Sequence, residues 1–183
     1  MSKKRNSKAF EITLSALSCA FAVIFLYLGT LNSYLLASGY FMASVSLLLP
    51  LSKQFYVGDL LAYAGTCILT ILLGALGAGW KLVPFIMFFG LHPLINALQL
   101  RFKINKWLAF IVKALWFDGT LWVMYVLVFG SSIGNPSWEY YHILNDYILA
   151  FIFAGGTLAF AVYDYVIFKC RSAVNALVSR LKK

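Results

Sequence analysis

Four side chains able to carry charge stand inside long apolar runs, where such groups are rare. His92 sits in Phe88-Phe89-Gly90-Leu91-His92-Pro93-Leu94-Ile95-Asn96-Ala97. Lys113 and Asp118 share Lys113-Ala114-Leu115-Trp116-Phe117-Asp118, and Asp164 lies close to the end of the last run. In lipid, such side chains must face the protein interior and find partners. Lys113 and Asp164 fall at a common depth, as do His92 and Asp118, so each pair can neutralise itself between helices. A protonatable His92–Asp118 pair could also line a path for a solute or a proton. Catalysis is not indicated, because the sequence has no HExxH, GxSxG, Walker A or paired-carboxylate spacing. Cys19, Cys67 and Cys170 are far apart, with no metal-binding spacing. The expectation is a non-enzyme with no catalytic residues, no metal and no cofactor of its own.

The elements that must position these groups follow from composition. The 183 residues are 62% hydrophobic and 11% charged, against about 25% charged in an ordinary soluble domain. One soluble core could not hide that much apolar surface, so the solvent is lipid. Counting runs of roughly 20 apolar residues predicts an all-α, polytopic membrane helix bundle in a single domain, residues 1–183. Its six transmembrane helices lie near 12–29, 33–51, 60–80, 82–100, 107–129 and 143–168, with a basic tail over 169–183. The first run is as long as a full span and others follow it, so it reads as a retained helix and not a cleaved signal. Pro93 frees a backbone carbonyl near Phe89, and Gly90 permits close approach, so the fourth span should kink at His92.

Charge placement supplies an orientation. With the N-terminus inside, thirteen of the fifteen Lys and Arg residues fall in cytoplasmic segments, and Lys81 alone is external. Both termini are then cytoplasmic, and the expected location is the cell membrane. This distribution also argues against nucleic acid as the partner of the net charge of +9. The tail places Val174, Leu177, Val178 and Leu181 at helical spacing among basic residues, as a short amphipathic helix on the inner leaflet would. The external turns gather Trp80, Trp138, Glu139, Tyr141, Asn145 and Asp146. Aromatic and polar groups of this kind can enclose a small solute above His92, or can form an interfacial belt.

The first span reads Leu14-Ser15-Ala16-Leu17-Ser18-Cys19-Ala20-Phe21-Ala22, with Ala16 and Ala20 as a small-xxx-small pair that lets another helix approach. With the length, the six spans, the cytoplasmic termini and the basic lead, this resembles the S components of energy-coupling factor transporters. The stretch Phe88 to Ile95 is also similar to small membrane proteins of Gram-positive bacteria. The first resemblance implies a subunit that binds a vitamin or related micronutrient near the external face. It implies contact through Ala16 and Ala20 with a transmembrane coupling subunit, and energy from partner ATPase subunits. The alternative is a non-transporting membrane scaffold or assembly factor, whose polar and aromatic groups would form a belt around a solid bundle.

Overall fold

A backbone out of water must satisfy its polar groups within its own segment, and helix does so. The computed structural model describes residues 2–73, 75–129 and 147–180, and these are all-α, with no strand among them. The helices are α1 (Ser2–Leu31), α2 (Leu36–Leu51), α3 (Tyr56–Leu72), α4 (His92–Phe102), α5 (Lys106–Phe129) and α6 (Gly156–Arg180). Short 3-10 segments cover Ser33–Leu35 and Ala75–Leu82, and π turns cover Phe85–Phe89 and Phe151–Gly155.

Among the described residues, five stretches are long and apolar enough to cross a membrane: Lys8–Leu31, Ser33–Leu51, Gly79–Phe102, Lys106–Leu127 and Tyr147–Arg180. These are the helices of a multi-pass membrane protein. Large apolar side chains lie open along them; Trp107 is 78% exposed and Leu158 71%. Surface of that kind is stable against hydrocarbon and not against water.

Two boundaries differ from the sequence expectation. The third span, expected over 60–80, is the 17-residue helix Tyr56–Leu72, about 25 Å long at 1.5 Å per residue. Gly74, Gly77 and Gly79 disfavour its continuation, and residues 79–82 instead lead into the next stretch. The tail is also continuous with the last helix as far as Arg180. Tyr147–Arg180 is one 34-residue stretch, because no Gly or Pro interrupts it after Gly156. Cys170 and Val174 pack against the cluster of Leu48, Leu51 and Ala97.

The chain groups into two compact units, residues 1–103 with 167–183, and residues 104–166. In the first, α1, α2 and α3 enclose a core of Ala22, Leu26, Tyr40, Ala43, Leu47 and Ala62, joined by Leu82 and Phe85. The α1–α2 crossing is set by Gly39. A Cβ there would lie 2.9 Å from Phe25 O and 3.0 Å from Gly29 Cα, so only hydrogen fits. In the second unit, Phe160 of α6 packs on Phe110 and Phe117 of α5, with ring centroids 5.3 and 5.9 Å apart.

Candidate functional site

The helical break before His92 is built from its sequence. Pro93 has no N–H for Phe89 O, and the hydroxyl of Ser44 donates to that carbonyl at 2.7 Å. Gly90 N–H reaches back to Phe85 O at 2.8 Å, one residue further than in an α-helix. That step passes over Ile86 O, to which the Tyr63 hydroxyl donates at 2.8 Å. Gly90 makes the approach possible, since a Cβ there would lie 2.5 Å from the Tyr63 ring. The carbonyls of Ile86 and Phe89 thus each receive a hydroxyl from a neighbouring helix.

Below the break, α4 turns a polar face inward. His92, Asn96 and Gln99 recur at i, i+4 and i+7, which puts them on one face, and all three are buried. His92 Nδ1 lies 3.5 Å from Asn96 Nδ2, and its ring stands 5.0 Å from that of Phe88. Arg171 of α6 donates to Asn96 O at 3.4 Å, and Arg101 covers the Tyr56 ring at 5.0 Å. Gln99 Oε1 is buried without a donor among the described residues, and so are both carboxyl oxygens of Asp59 on α3.

The second unit holds another intramembrane group. Lys113 Nζ donates to Asp164 Oδ1 at 2.8 Å and lies 5.9 Å from the centre of the Phe160 ring. Thr157 donates to Asp118 Oδ2 at 2.9 Å. Asp118 Oδ1 is buried without a donor among the described residues. Gly156 leaves space for it, because a Cβ there would lie 2.3 Å from that oxygen. The structure therefore brings Lys113 and Asp164 together. It places His92 in the first unit beside Asn96 and Phe88, and Asp118 in the second beside Thr157.

The residues expected to meet an external solute fare differently. Trp138, Glu139, Tyr141, Asn145 and Asp146 lie outside the described residues. Trp80 is exposed, with Lys81 Nζ 5.7 Å from its ring centre. Lys81 also donates to Thr30 O at 3.0 Å, where a cation suits the negative end of α1. Ala16 and Ala20 lie on the exposed side of α1, while Leu14, Ser18, Ala22 and Leu26 form its buried side.

Sequence reasoning passed over Asp59, which falls one residue before the expected third span. It also gave Asn96 no role beside His92 and passed over Gln99, although their four- and seven-residue offsets from His92 were visible. Ser44, Tyr63 and Thr157 carried no signal, since each matters through a partner on another helix. Comparison with protein-family models, curated proteins and solved structures finds no match to this chain, so its class rests on its own membrane-length helices and their buried polar groups.

Proposed function

We propose that this chain is a membrane-embedded solute-binding subunit of an uptake transporter, with both termini cytoplasmic and its energy supplied by partner ATPases. The observation that carries the reading is the buried polar face of His92, Asn96 and Gln99 inside apolar helices. Gln99 Oε1 on this face has no donor among the described residues, and a buried acceptor left so costs about 1–3 kcal/mol. Polar side chains at membrane depth are a cost that pathways for solutes and ions justify. The solute enters from outside, on the side of Trp80. It is a neutral or cationic small molecule of the micronutrient class, because Glu139 and Asp146 outnumber Lys81 and the Lys81 ammonium is engaged by Thr30.

Ala16 and Ala20 supply the surface for a transmembrane coupling subunit. Their exposure makes the test selective, because Ala16→Trp and Ala20→Trp face outward and leave the bundle intact. Purification from the native membrane should recover a coupling protein and ATPases with the wild type and lose them with either variant. A vitamin and precursor screen should raise the melting temperature of the purified chain. Absence of both ATPases and a stabilising solute would move the assignment to the scaffold.

A further inference from the structure

Asp59 has no exposed surface, and neither of its carboxyl oxygens has a donor among the described residues. It lies in the first turn of α3, where the helix end favours negative charge, yet no backbone N–H bonds either oxygen. Tyr56, Asp59 and Tyr63 follow i, i+3, i+7 spacing and share a face. Tyr63 reaches Ile86 O beside Gly90, and Tyr56 packs against the cluster containing Ala97. Asp59 falls between Tyr56 and Tyr63 on that face of α3. On the other side, α1 brings Ser15 against Gly58, so closely that a Cβ at Gly58 would lie 2.3 Å from Ser15 Oγ.

No side chain among the described residues hydrogen-bonds to the Asp59 carboxyl. Glu11 and Cys19 come from α1, His92 and Arg101 from α4, and Arg171 from α6; none of them hydrogen-bonds to its oxygens. Between Phe41 and Leu51, α2 offers no titratable side chain at all. An ionised carboxylate buried in this way is costly, and the cost is removed by a bound cation. One carboxylate balances one positive charge, and an oxygen ligand suits a hard ion. We propose that Asp59 reversibly binds a small monovalent cation, a proton or a sodium ion, inside the first unit. This does not depend on the chain carrying a solute, and its test reads the cation alone.

The full-length protein in detergent is melted while sodium chloride replaces choline chloride at constant ionic strength, and again across a pH series without sodium. A sodium site raises the melting temperature with sodium, and a proton site raises it as pH falls, because each ion binds the folded state preferentially. Asp59→Asn should lose the response, whereas Glu11→Gln should keep it. If Asp59→Asn does not fold, Asp59→Glu should shift the midpoint of the sodium or pH dependence at least about threefold in ion concentration. A wild-type melting temperature indifferent to both ions would overturn the proposal. So would an Asp59→Asn or Asp59→Glu protein that responds like the wild type.

Discussion

At the scale of single residues, the polar groups inside this chain act in pairs drawn from different helices. Ser44 matters because Pro93 exists. Ser44→Ala should cost about 0.6 kcal/mol, and up to about 1.7, the range for hydrogen bonds between membrane helices. In a Pro93→Ala background residue 93 regains its N–H for Phe89 O, so the same Ser44→Ala change should cost less. Equal costs in the two backgrounds would show that Ser44 does not serve the released carbonyl. Lys113 and Asp164 form the second pair, with side chains only 4% and 14% exposed. Lys113→Met and Asp164→Leu should each destabilise the protein by about 3–5 kcal/mol by stranding a buried charge. Combining them should recover much of the loss, whereas additive losses in a double-mutant cycle would contradict the pairing.

At the scale of elements, close backbone approach fixes the crossing of α1 and α2. The Phe25 carbonyl and Gly29 Cα that confront Gly39 are backbone atoms and cannot rotate away. Gly39→Ala should therefore destabilise the protein by about 1–3 kcal/mol through overpacking. The neighbouring Ser38→Ala, on the exposed side, should change stability by less than about 0.5 kcal/mol. Chemical or thermal unfolding of the two variants measures the contrast. Elsewhere, the break between the π turn and α4 is held by hydroxyls and not by apolar contact alone. It is therefore a built feature of the helix, with a named cause in Pro93 and Gly90.

At the scale of the whole molecule, the proposed orientation makes residues of one sign face one compartment. In a background with Cys19, Cys67 and Cys170 replaced by alanine, Ser132→Cys should react on intact cells with a thiol reagent that cannot cross the membrane. Ser172→Cys should react only after the membrane is opened. Labelling of both from outside would refute cytoplasmic termini.

The sequence alone determined the class of the protein and where its apolar stretches run. Composition and run length act locally, and the second span, Ser33–Leu51, has the bounds that its residues predicted. It also placed Lys113 and Asp164 at a shared depth, since depth follows from counting residues along a helix. Tertiary structure decided which face of each helix is inside. In a soluble protein the apolar stripe marks the core, but lipid is as apolar as a core, so the stripe loses that meaning here. Ala16 and Ala20 therefore face outward although a small pair could equally have packed within. Val174 turns to Leu48 and Ala97 although its amphipathic spacing fitted a membrane surface. Asp59 is buried although it lay just outside an expected span. Only the packing of helices distant in sequence decides whether a carbonyl or carboxyl receives a donor, as with Ser44 and Phe89, and leaves Asp59 without one.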